Sequence, residues 1–119
     1  MFRDILHELL ATTEGAAAVI FLDFEGETVD LVCDRNISDH DLRIFGAYHG
    51  LYRAKLRESC RKLRLGEPHR FKLEFRWMTF LCCDLKDGYY LVLLLDHKGI
   101  EEIAWQRLEK CKARVLEEM

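Results

Sequence analysis

Residues 15–33 read GAAAVIFLDFEGETVDLVC, and the interpretation of this stretch decides the fold. Ala16 to Leu22 is an unbroken run of seven apolar residues ringed by turn-forming residues. It is too short to cross a membrane and suits a strand covered on both faces, although periodicity alone leaves a buried helical segment open. The next residues arbitrate. Asp23-Phe24-Glu25-Gly26-Glu27 is a polar turn in which Gly26 supplies the positive φ of a tight hairpin. Val29, Leu31 and Cys33 then alternate with Thr28 and Asp30, the period-two signature of a half-buried strand. The simplest reading is a central strand that turns back into its neighbour.

On the N-terminal side, residues 2–11 form an amphipathic helix with Phe2, Ile5, Leu6 and Leu9 on one face. On the C-terminal side, residues 34–37 are a connection and Ser38-Asp39-His40-Asp41 has the capping pattern of a helix start. The helix is predicted from about Asp39 to Leu65, stopping at Gly66 as its C′ residue, before Pro68. It would be roughly 40 Å long. Its apolar residues fall on two faces. One holds Leu42, Phe45, His49, Tyr52, Leu56, Cys60 and Leu63; the other holds Ile44, Ala47, Tyr48, Leu51 and Ala54. Gly46, Gly50, Arg53, Arg57, Arg61 and Arg64 run between them. The longer face is expected to cover a sheet. The shorter one then needs burial elsewhere, within this fold or against a second copy of the chain.

Arg70 to Trp77 alternates strictly, with Phe71, Leu73, Phe75 and Trp77 predicted inward. Lysine and arginine on its other face are common protection for an exposed edge. Met78 to Leu85 continues as a strand, Lys86-Asp87-Gly88 is a hairpin turn, and Tyr89 to Leu95 is a second fully apolar strand. A last helix over Ile100–Glu118 carries the stripe Ile100, Ile103, Ala104, Leu108, Cys111 and Val115. The order is α-β-β-α-β-β-β-α, an α+β arrangement of one antiparallel sheet with helices on its faces.

The 119 residues are expected to form a single domain, 1–119, with half of them hydrophobic and a third charged. No signal-peptide pattern opens the chain and no apolar run approaches the roughly 18 residues of a spanning helix. The expected location is the cytoplasm, without membrane insertion. Five cysteines with no CxxC spacing fit free thiols. The net charge of −3 hides a division: residues 1–42 balance at −8, residues 43–76 at +7 and residues 77–119 at −2. A basic middle in an acidic chain suggests self-association or an acidic partner, and argues against nucleic acid.

The chain has neither GxxxxGK[ST] nor GxGxxG, so no phosphate cradle is written in it, and no cofactor is expected. Ser38 and Ser59 lie outside any nucleophile elbow, and the five histidines lack metal spacing with the cysteines. His49, on an apolar helix face, reads as a satisfied core histidine. Cys82 and Cys83 are expected on opposite faces of one strand. The arginine stripe reads as a solvated face or as a docking surface for an acidic protein.

In its order of elements the chain resembles the Roadblock/LC7 family, over essentially its whole length. The resemblance rests on Ile5-Leu6-xx-Leu9-Leu10, Glu14-Gly15-Ala16 and the strand ending Leu22-Asp23-xx-Gly26. The long helix ending Leu65-Gly66, the Asp87-Gly88 turn and the terminal amphipathic helix complete it. It implies a five-stranded antiparallel sheet with the long helix on one face and the two terminal helices on the other. It also implies a homodimer formed through the third strand (Arg70, Phe71, Lys72, Leu73, Glu74, Phe75) and the helix face Ile44, Ala47, Tyr48 and Leu51. Family members often have a glycine in the turn after that strand; Phe75-Arg76-Trp77-Met78-Thr79 has none.

The resulting expectation is a non-enzymatic homodimeric platform that binds and regulates a small Ras-like GTPase, as activator or scaffold, in polarity, motility or signalling. Arg53, Arg57, Arg61 and Arg64 are the candidate partner-binding residues. Two other readings remain. A small-molecule sensor would need a pocket lined by Phe71, Phe75, Trp77 and the long helix, and an adaptor subunit of a larger machine would need the dimer alone.

Overall fold

The computed structural model describes residues 1–34 and 36–119; Arg35, within the connection read at 34–37, lies outside the described residues. The elements are α1 (Phe2–Thr12), β1 (Ala16–Leu22), β2 (Thr28–Cys33), α2 (Asp39–Lys62), β3 (Arg70–Glu74), β4 (Met78–Asp84), β5 (Tyr90–Asp96) and α3 (Glu101–Glu118). All five strands form one antiparallel sheet in the order β2-β1-β5-β4-β3. The three strands richest in apolar residues, β1, β5 and β4, sit in the middle, because only there are both faces covered.

Two hydrophobic layers follow from the pleat. Val19, Phe21, Leu81, Cys83, Leu91 and Leu93 point to the side where α1 contributes Ile5, Leu6 and Leu9 and α3 contributes Ala104, Leu108, Cys111 and Val115. Ala18, Ile20, Leu22, Phe80, Cys82, Tyr90 and Val92 point to the side covered by α2 through Leu42 and Phe45. The long helix is thus alone on one face and the terminal helices share the other. Ile100 and Ile103, expected in the α3 stripe, are exposed at the open end of that helix.

The β2 pattern differs from simple alternation. The β1–β2 register shifts between Phe21, paired with Asp30, and Leu22, paired with Thr28. Val29 is therefore the extra residue of a bulge and faces solvent. Beyond it, Leu31 packs under α2 and Val32 under α1. One inserted residue moves the alternation by one position.

The Ser38 hydroxyl caps α2 by accepting from the Asp41 N–H at 3.2 Å. The helix ends at Lys62, earlier than Leu65, and Gly66 is not its C′ residue. Arg64 takes that position at φ +58°, with its N–H donating to Arg61 O (3.2 Å) and the Leu65 N–H to Cys60 O (2.9 Å). This is a Schellman closure made with a side chain where glycine is preferred. Arg64→Gly is expected to raise stability by about 1 kcal/mol, read as a higher urea midpoint at unchanged m.

β3 also stops early. Phe75 donates its N–H to Met78 O at 2.8 Å, closing a turn over Arg76-Trp77 without a positive φ. Phe75 and Trp77, predicted inward, are exposed on that turn. Apolar–polar alternation through Trp77 is not enough to carry a strand past its last ladder partner.

Candidate functional site

The face of α2 that meets the sheet is the longer apolar one, turned toward the glycines that run beside it. Its buried positions are Leu42, Gly46, His49, Gly50, Arg53 and Cys60. Gly46 and Gly50 bring the helix backbone down onto the β1–β2 hairpin. A Cβ on Gly50 would sit 2.7 Å from Gly26 Cα and 3.1 Å from Glu25 O. Because the glycines are the contact, the helix is rotated toward them, and Tyr52 and Leu63 of the longer apolar face are left exposed.

That rotation takes Arg53 out of the arginine stripe, a correction to its expected role as a partner-binding residue. It is 5% exposed, donates from Nη1 to Gly88 O at 3.1 Å and lies 4.3 Å above the Tyr90 ring. Arg57 is half-buried and donates from Nε to a Glu67 carboxylate oxygen at 2.8 Å, which holds that carboxyl below its usual range. Arg61 and Arg64 are exposed, and with Arg57 they line a shallow basic groove over Cys60.

His49 is buried as expected but is not satisfied. Its ring stacks between Phe71 (5.7 Å) and Tyr90 (5.6 Å), and neither ring nitrogen has a hydrogen-bond partner among the described residues. Burial, with Arg53 adding to it, lowers its pKa to about 4, so the ring is neutral at physiological pH. With Phe45 edge-on to Phe80 at 4.3 Å, this stack fills the space between α2 and the sheet. Phe71 belongs to that packing and the exposed Phe75 ring reaches its edge at Phe80 (5.3 Å), while Trp77 lies outside it on the turn. Trp77 does not join Phe71 and Phe75 there, which counts against the pocket that a sensor reading needs.

Cys82 and Cys83 face opposite sides of β4, as expected for neighbours in a strand. Burial pushes the Cys82 and Cys111 thiols up to about 12 and the Cys83 thiol up as well. These are packed thiols, unlike the depressed-pKa thiolates that do chemistry.

The outward surface of α2 carries Ile44, Ala47, Tyr48 and Leu51, all exposed, Tyr48 at 67% and Leu51 at 63%. Beside it runs β3, an edge of the sheet. The Tyr52 ring lies 6.0 Å from the Phe71 ring, so the helix surface and the strand edge are adjacent. On β3, Phe71 and Leu73 turn toward the α2 layer, while Arg70, Lys72 and Glu74 are exposed on the α3 side. Lys72 reaches Glu101 at 3.1 Å and Glu74 at 3.8 Å, and Arg70 lies 4.6 Å above the Trp105 ring. An apolar helix row next to a strand edge unpaired among the described residues has the make-up of a protein-interaction surface. Single exposed apolar residues are ordinary; a contiguous row is not. Sequence reasoning missed the buried role of the Gly46–Gly50 pair, whose four-residue spacing was the available signal.

No family model and no curated protein matches this sequence. Solved structures do match in shape. The Roadblock/LC7 domain from Streptomyces avermitilis superposes with a TM-score of 0.84 at 10% identity, over 93% of this chain and 91% of that one. Myxococcus xanthus MglB gives 0.87 at 12% identity, over 98% and 92%. The gliding protein MglB from Thermus thermophilus gives 0.82 at 17% identity, over 99% and 90%. At such identities the likeness establishes the fold, and the fold is that of a Roadblock/LC7 domain.

Proposed function

We propose that this chain is a non-enzymatic homodimeric platform that binds a small Ras-like GTPase and regulates it, as activator or scaffold. The observation that carries the reading is the exposed row Ile44, Ala47, Tyr48 and Leu51 beside the open edge of β3. Two copies that cross their α2 helices cover this row, and edge-to-edge β3 pairing completes the hydrogen bonds that a free strand leaves open. The paired helices then offer Arg57, Arg61 and Arg64 as an outward basic surface. The GTPase is the partner class that the Roadblock/LC7 resemblance implies, and the shape shared with a gliding protein favours motility or polarity as the setting. The cytoplasm is the proposed location; no helix among the described residues is long and apolar enough to cross a membrane.

Sedimentation equilibrium tests the dimer. Leu51→Asp places a carboxylate in both halves of the interface and is expected to raise the dimer dissociation constant roughly 100-fold, with the urea midpoint of the monomer unchanged. GTP turnover by a Ras-like GTPase from the same genome, measured with and without this protein, tests the regulatory half. A dimer that neither binds such a GTPase nor alters its rate would leave the adaptor reading in its place.

A further inference from the structure

We infer that two copies join β3 to β3 in one register, centred on Lys72, with Glu74 of each copy opposite Arg70 of the other. The inference rests on the dimer proposed above and adds the register that the edge itself specifies. Its first support is hydrogen-bond parity. Phe75 donates its N–H to Met78 O at 2.8 Å, and Asp84 donates to His69 O at 2.9 Å. Positions 69 and 75 therefore bond to β4, and by alternation so do 71 and 73, within the observed β3–β4 register. The backbone groups of Arg70, Lys72 and Glu74 point the other way, to the open edge.

An antiparallel two-fold pairing must set these outward residues against one another. Three centres bring two or more different ones together; centring on Arg70 or Glu74 only sets that residue against its own copy, like charge on like. Centring on Phe71 puts Arg70 against Lys72, cation on cation, and is disfavoured. Centring on Leu73 puts Lys72 against Glu74 but runs Arg70 past the end of the strand, against Arg76 on the turn. Centring on Lys72 uses the whole of β3 and makes two Arg70–Glu74 pairs. Its one like-charge contact, Lys72 against Lys72, is relieved because each ammonium already lies 3.1 Å from its own Glu101. Opposed residues share a face of the joined sheet, and Arg70, Lys72 and Glu74 all lie on the α3 side.

The test is charge reversal in the full chain, read as the dimer dissociation constant by sedimentation at low ionic strength. Arg70→Glu sets Glu against Glu74, and Glu74→Arg sets Arg against Arg70; each is expected to weaken the dimer roughly tenfold. The double variant R70E/E74R restores opposite charges in the Lys72-centred register and is expected to return the constant to within about threefold of the parent. In the Leu73-centred register the same double variant sets Lys72 against an arginine and stays weak. Urea unfolding of each variant separates loss of the Arg70–Trp105 contact from loss of dimer. A dimer that the single reversals leave unchanged, or that the double variant fails to rescue, overturns the register while leaving the dimer standing. A parent chain that is monomeric throughout the dilution series overturns both.

Discussion

Between pH 6.5 and pH 4 the protein is expected to lose about 3 kcal/mol of stability through one side chain, His49. The ring is 2% exposed, held between Phe71 and Tyr90, and its two nitrogens have no hydrogen-bond partner among the described residues to stabilise a charge. Its pKa in the fold is about 4, against 6.5 for an ordinary histidine. The unfolded chain therefore binds a proton as pH falls through 6.5, while the folded chain does not until pH 4. The stabilisation is complete above 6.5, declines across this window and levels off below it. About two-thirds of the loss falls above pH 5, before most carboxylates titrate, which isolates it. Urea unfolding at pH 7 and pH 5 measures it directly. His49→Phe keeps the aromatic stack and removes the titration, so its pH 7 to 5 difference is expected to shrink by about 2 kcal/mol. An unchanged pH dependence in that variant would show that His49 is not the titrating group.

The second large effect concerns the helix glycines. Gly50→Ala is expected to cost about 2 kcal/mol, although alanine is the better helix former by about 1 kcal/mol. The new methyl would meet backbone on the hairpin: Gly26 Cα at 2.7 Å, Glu25 O at 3.1 Å and Gly26 N at 3.2 Å. That hairpin cannot give way easily. Asp23 Oδ1 accepts from the N–H groups of Glu25 (2.8 Å) and Glu27 (3.0 Å), and Gly26 holds φ +86°. Gly46→Ala makes the sharper control. Its methyl would meet the Cδ2 atom of Leu22 at 2.9 Å, the far end of a side chain that can rotate. There the gain in helix propensity is expected to offset the crowding, leaving the urea midpoint within error of the parent. Equal losses at the two glycines would mean that the hairpin backbone is not the rigid partner.

Much of the framework is legible in the residues alone. The apolar runs Ala16–Leu22 and Tyr89–Leu95 suit covered strands, and the strands they form, Ala16–Leu22 and Tyr90–Asp96, lie inside the sheet. Ser38 caps the helix that its position predicts, and Asp87 and Gly88 take the left-handed turn at φ +57° and +81°. These are local matters, since a cap or a tight turn is made by neighbours in the chain. The candidate interface is legible for a related reason. Ile44, Ala47, Tyr48 and Leu51 are apolar on a helix whose opposite side suffices to cover the sheet, and the structure leaves them exposed.

The features that periodicity misplaces depend on partners far away in the chain. By its period Val29 belongs inward, yet a bulge opposite Phe21 and Leu22 turns it out. By its spacing Arg53 belongs to an exposed stripe, but two glycines on the same helix draw that side onto the hairpin. The guanidinium then finds Tyr90 and the Gly88 carbonyl, 35 residues or more away. Arg64 rather than Gly66 closes the helix because the Cys60 and Arg61 carbonyls need donors there and then. Which segments are strands and helices, their order and the polarity of most faces are written locally, because hydrophobic period and turn chemistry act within a few residues. How far α2 is rotated on the sheet is settled only when the elements pack, because close backbone approach at Gly26 and Gly50 outweighs the burial of Tyr52 and Leu63.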